Sequence, residues 1–407
     1  MLPKQRSLGG GKNITRVGPG YYSFNWWLNG TDKDGRCLFV DAPPDAFVAS
    51  GHGGERMLWI FPSLDLVVAW NDGRIDDHDA SPGNAKTKCN QAARLIGEAA
   101  SAPHLRVALT EGRWHFNGRP TNRGSRAEGL LMNVRMVNAV FEDRKRPDFD
   151  PEANTDKFLD RIADYAAHGV RAFTLCLQGG FPGYEGAENS AFRSDGSLRG
   201  PYLRRVRRVI EACDRHGMAV ILGCYYQRQD QILRDEAAVR AGVVNVAQWI
   251  KASGFTNVVL EIANEYPHSG FDHRILKTAA GQVELIRLAR KTAPGLLVST
   301  SGLGDGKVSD EVAKASDFLL IHFNGVPVAE IAGRIKALKR YGKPIVCNED
   351  DKIGESAARA AAMCVAQGAS WGFMLEKVNQ HSPFTFRGAA DDKAVYRELK
   401  RLTAERP

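Results

Sequence analysis

Two glutamates, an asparagine and a histidine stand at the ends of short apolar segments in the second half of the chain. One segment ends in Asn264 and Glu265, another ends in Glu349, and a third contains His322. Two carboxyl groups that face each other across a cleft can divide the chemistry between them, because one can stay protonated while the other is ionised. Hydrolysis of a glycosidic bond needs such a pair: a proton for the leaving oxygen and a carboxylate for the anomeric carbon.

The distance between the two carboxyl groups would decide the stereochemical outcome. A separation of about 5–5.5 Å allows one carboxylate to attack the sugar and gives retention, whereas about 6.5–9.5 Å leaves room for a water and gives inversion. Mutual repulsion is expected to raise the pKa of one of the two groups, which suits the role of an acid.

Other polar residues end the remaining apolar segments and are candidate substrate contacts. They are Arg135, Asn138, Gln178, Tyr226 and Glu376. Polar side chains gathered at one rim of an apolar structure need a reason, because burying an unpaired polar group is costly. Glu261 is a different case: it shares a strand face with Glu265, and we interpret it as an interior, hydrogen-bonded carboxylate.

Apolar segments alternate with helical segments throughout this half of the chain. The predicted strands span residues 131–140, 172–178, 219–226, 258–265, 296–301, 318–324, 344–349 and 371–376. Eight strands alternating with helices predict an α/β protein with a (β/α)8 TIM barrel, in which the carboxyl ends of the strands form the site. A doubly wound open sheet is the rival, but residues 141–144, after the first strand, contain no glycine.

The N-terminal part has a different pattern. Strand-like runs at residues 21–28, 37–40, 56–61 and 64–70 are separated by turn residues, and a helical stretch follows at 87–100. This predicts a small antiparallel β-sheet with one helix. Because residues 106–116 resemble a further strand pair, we predict three parts: a sheet module at 1–105, joining strands at 106–128 and the barrel at 129–407.

The segments around both glutamates resemble a known family. Residues 261–265 (Glu-Ile-Ala-Asn-Glu) are similar to the end of strand four in cellulase-like glycoside hydrolases, in the large retaining barrel clan that includes family 5. Residues 343–349 resemble the strand-seven segment of the same clan. The resemblance extends from about Trp114 to the C-terminus.

The resemblance implies a role for each matching residue. Glu265 would be the acid/base and Glu349 the nucleophile of a retaining reaction on a poly- or oligosaccharide. Asn264 would donate to the sugar 2-hydroxyl. His322 would orient the nucleophile or contact the sugar.

The sequence departs from the clan at two places. Thr174 stands where strand two usually carries an arginine that supports the nucleophile, and Arg135 on strand one is the candidate substitute. Trp371 begins the eighth strand, although the clan carries a tryptophan platform there and this strand ends in Glu376. These departures keep a non-catalytic, carbohydrate-binding barrel open as an alternative.

The first module carries a second resemblance. Residues 51–55 (Gly-His-Gly-Gly-Glu) and 60–68 are similar to the last sheet strands of class C β-lactamase-like serine hydrolases. That family uses a Ser-x-x-Lys nucleophile, and no serine in this chain has a lysine three positions later. We therefore expect a remnant of that fold, with serine hydrolase activity as a further alternative. Residues 368–372 fit Gly-x-Ser-x-Gly, but their helix precedes the strand, so they are no nucleophile elbow.

Composition excludes several classes of protein. The chain has 407 residues, 43% hydrophobic and 25% charged, which excludes collagen-like, coiled-coil and wholly disordered proteins. No apolar run approaches the roughly 18 residues of a membrane span, so we expect no membrane partner. The net charge is +8, but the densest basic cluster, residues 204–208, fits the polar face of an amphipathic helix. We expect no nucleic-acid partner, and the oligomeric state stays open.

Cysteine and histidine spacing indicates neither a metal nor a disulfide framework. The seven cysteines include no Cys-x-x-Cys pair, and Cys176, Cys224 and Cys347 lie in apolar runs, which is typical of buried free thiols. No His-Glu-x-x-His spacing occurs, so we expect no metal and no cofactor. The first five residues lack the apolar segment of a secretory signal, which leaves a cytoplasmic protein, or one exported with its signal removed, as the possibilities.

Overall fold

The computed structural model describes residues 22–23, 26–30, 36–43, 45–51, 56–64, 66–71, 87–100, 104–146, 148–179 and 186–406. The chain divides into two compact units, Met1–Pro103 and His104–Pro407. The predicted end of the first module, at residue 105, lies close to this division.

The first unit contains a five-stranded antiparallel sheet and one helix. Its elements are β1 (Tyr22–Ser23), β2 (Trp26–Leu28), β3 (Phe47–Gly51), β4 (Arg56–Phe61), β5 (Leu66–Trp70) and α1 (Lys88–Ala100). The strands pair in chain order, and alternate residues of β4, Trp59 and Phe61, are fully buried. The antiparallel sheet and helix agree with the sequence pattern, whereas residues 52–55, which carry part of the β-lactamase-like resemblance, lie outside the described residues.

The prediction of a strand at residues 37–40 is wrong. The side chain of Asn29 accepts the backbone N–H of Phe39 at 2.7 Å and donates to the carbonyls of Phe39 and Ala42. These bonds hold the segment as a turn, because its backbone groups bond to a side chain instead of a neighbouring strand.

The second unit begins with a small antiparallel sheet of β6 (Val107–Thr110), β7 (Arg113–Phe116) and β8 (Arg119–Pro120). Trp114 on β7 is fully buried against Leu131, Ala172 and Ala219, which lie at the beginnings of the parallel strands. The sheet therefore covers the amino ends of those strands, opposite the end where the candidate site lies.

Eight short parallel strands occupy the eight predicted places. They are β9 (Asn133–Arg135), β10 (Ala172–Cys176), β11 (Ala219–Tyr225), β12 (Val258–Ala263), β13 (Val298–Ser299), β14 (Leu319–His322), β15 (Ile345–Glu349) and β16 (Gly372–Phe373). One six-stranded sheet has the order β13-β12-β11-β10-β9-β16, and β14 pairs with β15. Isolated parallel bridges join Ser301 to Leu320 and Val346 to Ser370, between the two sheets.

The first parallel strand is much shorter than the predicted segment 131–140. A 3-10 turn, Val137–Val140, follows β9. Asn154 donates its side-chain amide to the carbonyl of Asn138, and Thr155 donates its hydroxyl to the carbonyl of Ala139, both at 2.9 Å. Since these carbonyls are taken by side chains, the chain turns instead of continuing as a strand.

Helices cover the outer faces of the strands. They are α2 (Pro151–Leu159), α3 (Ile162–Ala167), α4 (Gly200–Arg215), α5 (Glu236–Ala252), α6 (Arg274–Lys277), α7 (Ala279–Thr292), α8 (Asp310–Ala315), α9 (Val328–Leu338), α10 (Gly354–Ala366) and α11 (Lys393–Thr403). Side chains of Asp150, Asp235, Thr278, Ser309 and Asp392 accept first-turn N–H groups. Such caps fix where each helix begins.

The basic cluster on α4 is not wholly a solvated face. Arg205 is only 2% exposed, and its guanidinium lies 2.6 Å from Glu142. Arg199 contacts the other oxygen of Glu142. An arginine buried in this way is typical of a paired structural charge.

All seven cysteines are free, and all but Cys37 are buried. This agrees with the expectation of buried thiols. In the part of the chain that the structure describes, no helix combines the length and apolar character that crossing a bilayer requires.

Candidate active site

The residues singled out in the sequence meet at the carboxyl edge of the parallel strands. Arg135 ends β9, His322 ends β14 and Glu349 ends β15, while Asn264 and Glu265 directly follow β12. The carboxyl ends of parallel strands lie at one edge of a sheet, which is where α/β proteins commonly bind ligands.

The two glutamates lie close together on either side of His322. One oxygen from each carboxyl group and one ring nitrogen of His322 all lie within 4.8 Å of one another. Nδ1 of His322 is 3.3 Å from Oε1 of Glu265 and 3.6 Å from Oε2 of Glu349. The side chains of Glu265 and Glu349 are only 15% and 7% exposed. This spacing is close to the separation of about 5–5.5 Å at which one carboxylate can attack the sugar directly.

Arg135 lies between the nucleophile candidate and Asn264. Its Nε is 2.8 Å from Oε2 of Glu349, and its guanidinium Nη2 donates to Oδ1 of Asn264 at 2.7 Å. The guanidinium also lies 5.9 Å from the ring centre of Tyr226. Burial alone would lower the pKa of Arg135, but the charge of Glu349 and other neighbours outweighs burial and raises it. The arginine is therefore a permanent positive charge behind Glu349.

Arg135 lies beside Thr174, a smaller residue on the neighbouring strand β10. In the register of β9 and β10, Arg135 pairs with Thr174. Thr174 is fully buried and its hydroxyl has no hydrogen-bond partner among the described residues. A threonine here leaves space for a guanidinium that arrives from the neighbouring strand.

Gln227 joins Glu265 to Asn264, and sequence reasoning did not include it among the site residues. Its amide nitrogen donates to Oε2 of Glu265 at 3.2 Å, and its oxygen accepts from Nδ2 of Asn264 at 3.1 Å. Gln227 follows β11 by two residues, so its place near a strand end was the available signal. Through Gln227, Asn264 and Arg135, a chain of polar contacts connects the two carboxyl groups.

Asn324 is a second residue that sequence reasoning missed. Its Nδ2 donates to Oε1 of Glu349 at 2.5 Å. Oε2 forms an ion pair with Arg135, without the alignment of a hydrogen bond. Both oxygens of Glu349 therefore contact a neighbour, which restricts the orientation of the carboxylate.

The backbone of Glu265 is in an uncommon conformation. Its φ is +50°, in the left-handed region that residues other than glycine rarely adopt. The N–H of Glu265 donates to Oγ of Ser301, and the N–H of Tyr266 donates to the carbonyl of Ser301, both at 3.0 Å. Strain of this kind persists where surrounding contacts impose it, and it is common at functional sites.

We expected one carboxyl group of the pair Glu265 and Glu349 to have a raised pKa. The structure gives a different result for Glu265. Burial would raise the pKa of Glu265, but the hydrogen bond and charge of His322, together with Arg135, lower it below the usual range. The raised carboxyl is Glu261, fully buried behind the pair, where burial outweighs the charges of Arg135 and His322. The expectation is wrong for Glu265 because it considered repulsion between two carboxylates and no histidine between them.

Two residues predicted to contact the substrate, Gln178 and Asn138, form hydrogen bonds within the protein instead. The amide of Gln178 donates to Ser190 and to the carbonyl of Gln229, and its oxygen accepts the N–H of Tyr226. Asn138 donates its side-chain amide to the carbonyl of Gln380 at 2.9 Å. Both side chains therefore hold loops at the rim of the site.

The end of the eighth strand also differs from the sequence-based prediction. Glu376 begins a π-helical turn, Glu376–Gln380, and its side chain is 41% exposed, 3.5 Å from His381. Trp371 is fully buried and donates its indole N–H to Asp350 at 2.8 Å. Trp371 is thus a core residue, and it offers no platform for a sugar.

Ser370, from the rejected nucleophile elbow, lies before β16 and outside this site, and the charge of Arg135 opposes a metal ion within it. The hydroxyl of Ser370, in the rejected nucleophile elbow, accepts the N–H of Leu131 at 2.8 Å. Glu265, His322 and Glu349 have a spacing that would suit a metal ion. A metal ion would share Glu349 with the guanidinium of Arg135, and repulsion between the two cations opposes that arrangement.

No family model and no curated protein matches this chain. Solved structures share its fold. A candidate glycoside hydrolase from Bacteroides vulgatus has a TM-score of 0.54 at 14% identity, covering 74% of this chain and 60% of the other. The endo-1,4-beta-mannanase of Eisenia fetida gives 0.52 at 10%, covering 74% and 96%. A family 5 glycoside hydrolase from Prevotella bryantii gives 0.51 at 9%, covering 70% and 99%.

At these low sequence identities, the similarity indicates a shared fold and nothing about activity. This chain spans 60% of the length of the Bacteroides protein, and the resemblance of the first module to β-lactamase-like proteins stays a prediction. The activity therefore has to be argued from the side chains of the site.

Proposed function

We propose that this protein is a retaining glycoside hydrolase acting on O-glycosidic bonds of a poly- or oligosaccharide. The observation that carries the proposal is the pair Glu265 and Glu349, with oxygens within 4.8 Å at the carboxyl edge of the parallel strands. Neighbours in fold include a family 5 enzyme and a mannanase, which favours a carbohydrate substrate.

We also propose that the eight parallel strands close into a (β/α)8 barrel. The bridges from Ser301 to Leu320 and from Val346 to Ser370 support closure, because they join β13 to β14 and β15 to β16 at both breaks between the sheets. A closed barrel brings the ends of the fourth and seventh strands to face each other across one mouth.

In the first step, Glu349 attacks the anomeric carbon and forms a covalent glycosyl-enzyme. Arg135 and Asn324 aim the carboxylate and keep it from turning away. Glu265 gives a proton to the glycosidic oxygen, which leaves with the electron pair of the broken bond.

In the second step, Glu265 acts as a base. It takes a proton from a water that attacks the anomeric carbon, and the bond to Glu349 breaks. Gln227 holds Glu265 near this water from one side and His322 from the other. Asn264 donates one amide hydrogen to Gln227, and we assign its second to a sugar hydroxyl.

A screen of β-1,4-glucans, β-1,4-mannans and aryl glycosides tests the function. Glu349→Gln is expected to remove turnover, because an amide oxygen is a poor nucleophile. Glu265→Gln is expected to lower kcat by about 10²–10⁴-fold on poorly activated substrates. The measurement is kcat/KM on whichever glycoside the unmodified protein cleaves.

The matched control is Glu330→Gln, an exposed glutamate on α9, which should keep full activity. Proton NMR of the first product should show the anomer of the substrate. Full activity of Glu349→Gln, or an inverted first product, would contradict the proposal.

A non-catalytic carbohydrate-binding barrel is the second candidate. The lowered pKa of Glu265 favours it, because a carboxyl that is ionised at rest is a poor proton donor. Sugar binding without turnover across the screen would support this candidate, and labelling by a reactive-serine probe would support the serine hydrolase alternative.

A further inference from the structure

We propose that His322 stores the proton that Glu265 delivers to the leaving group. The inference deepens the proposed hydrolase mechanism and rests on it. It gives this histidine a catalytic duty, beyond orienting the nucleophile or contacting the sugar.

The geometry leaves His322 one route for hydrogen bonding. The ring is fully buried at the end of β14, and Nδ1 faces Oε1 of Glu265 at 3.3 Å. Nε2 is buried and has no partner among the described residues. A proton on Nδ1 therefore lies directly on the path to the carboxyl group of Glu265.

With Glu265 and Glu349 ionised, the groups around the ring carry one more negative charge than Arg135 balances. The groups that face His322 are Glu261 and Glu265 from β12 and the residues after it, Glu349 from β15 and Arg135 from β9. Burial favours the neutral form of Glu261, and Arg135 balances Glu349. A single proton shared by His322 and Glu265 then makes the buried cluster neutral, whichever of the two carries it.

In this proposal the ring holds the proton at rest, because its Nδ1 lies 3.3 Å from Oε1 of Glu265 and 3.6 Å from Oε2 of Glu349. The charge of Glu349 and the hydrogen bond to Glu265 outweigh burial and raise the pKa of His322. The same contact lowers the pKa of Glu265. A proton stored on the ring would allow an acid catalyst to start from its ionised form.

The proton can then move in two balanced steps. It passes from Nδ1 to Oε1, which leaves His322 neutral and makes Glu265 a carboxylic acid. Glu265 gives it to the glycosidic oxygen as the bond to the anomeric carbon breaks. In the second half of the reaction, Glu265 takes a proton from water and returns it to Nδ1. Gln227 donates to Oε2, which keeps that oxygen an acceptor and leaves Oε1 for the proton.

The pH dependence of kcat/KM tests the store. In the unmodified protein the alkaline limb reports loss of the shared proton, which two sites hold together. In His322→Gln only Glu265 can hold it, so the alkaline limb is expected to move to lower pH by about one unit or more. His216→Gln, an exposed histidine that follows α4, should leave the limb in place.

A second measurement separates storage from orientation. With 2,4-dinitrophenyl glycosides, whose leaving group needs no proton, His322→Gln should lose at least about 10-fold less kcat than with the natural type of linkage. An equal loss on both substrates, with an unmoved alkaline limb, is the behaviour of a positioning residue and would overturn the inference.

NMR of the 15N-labelled imidazole makes the inference independent of turnover. The ring of His322, assigned by comparison with His322→Gln, should be charged at the pH of maximal stability and titrate at lower pH in Glu265→Gln. A ring that is neutral throughout would overturn the store even if the protein hydrolyses glycosides. If no glycoside is cleaved, the proposed function fails first, and the ring titration still decides whether the cluster shares a proton.

Discussion

At the scale of single residues, the site is defined by what holds each carboxyl group. Glu349 has Arg135 on one oxygen and Asn324 on the other, and Glu265 has His322 and Gln227. Each carboxylate is thus held by one charged or chargeable group and one amide. Since such contacts preorganise the reacting atoms, their loss is expected to affect rate more than binding.

Arg135 allows the sharpest test at this scale. Arg135→Ala leaves Glu349 buried without its cation, which is expected to lower kcat/KM by about 10²-fold or more and to destabilise the fold by about 3–5 kcal/mol. Arg135→Ala combined with Thr174→Arg places a guanidinium one strand away in the same register, and it should recover part of both losses. The measurements are kcat/KM and the urea midpoint.

Thr174→Val is the matched control for that pair. It removes only a hydroxyl that has no partner among the described residues, so activity and stability should stay close to those of the unmodified protein. If the double variant is no better than Arg135→Ala, the position of the guanidinium matters more than its presence in this register.

At the scale of elements, the sequence predicts which residues lie at the strand ends better than it predicts which side chains contact them. Glu265, His322 and Glu349 could be found because each lies at the end of an apolar run. Gln227 and Asn324 also follow strands, but amides are common in loops, and only the contacts to the glutamates distinguish them. The lowered pKa of Glu265 depends on His322 and Arg135, which come from other strands, so no local pattern contains it.

At this scale we predict how much the ion pair between α4 and the loop after β9 contributes to stability. Arg205 joins α4 to Glu142 in the loop after β9, and both side chains are mostly buried. Arg205→Ala leaves the buried carboxylate of Glu142 paired with Arg199 alone. The loss of one charged hydrogen bond should lower the free energy of unfolding by about 1.5–3 kcal/mol. Arg204→Ala, at an exposed position of the same helix, should change it by less than about 0.5 kcal/mol.

Urea unfolding followed by tryptophan fluorescence measures both variants. Equal effects of the two substitutions would show that Arg205 contributes no more than a surface charge. In that case the loop after β9 would be held by the contacts of Asn154 and Thr155 with its carbonyls.

At the scale of the whole molecule, every residue of the site lies in the second unit. The alternation of strands and helices was enough to predict this unit, because each buried strand forms a continuous apolar run. The first unit is harder to predict. Its sequence does not mark the strand Phe47–Gly51, and the strand-like residues 37–40 instead form a turn that bonds to the side chain of Asn29. A short antiparallel sheet offers a weaker pattern than eight repeats of one motif.

The two units can be tested separately. The chain without Met1–Pro103 keeps both of the large apolar clusters around the parallel strands, whose residues all lie beyond His104. We therefore expect it to fold, because a unit with its own core is able to fold alone. Its kcat/KM on a small aryl glycoside should stay close to that of the full chain, because every residue of the proposed site lies in His104–Pro407. Activity that falls on polymers but not on the aryl glycoside would give the first unit a part in holding the polymer. Loss of activity on both, with a folded circular dichroism spectrum, would contradict the assignment of the whole site to residues 104–407.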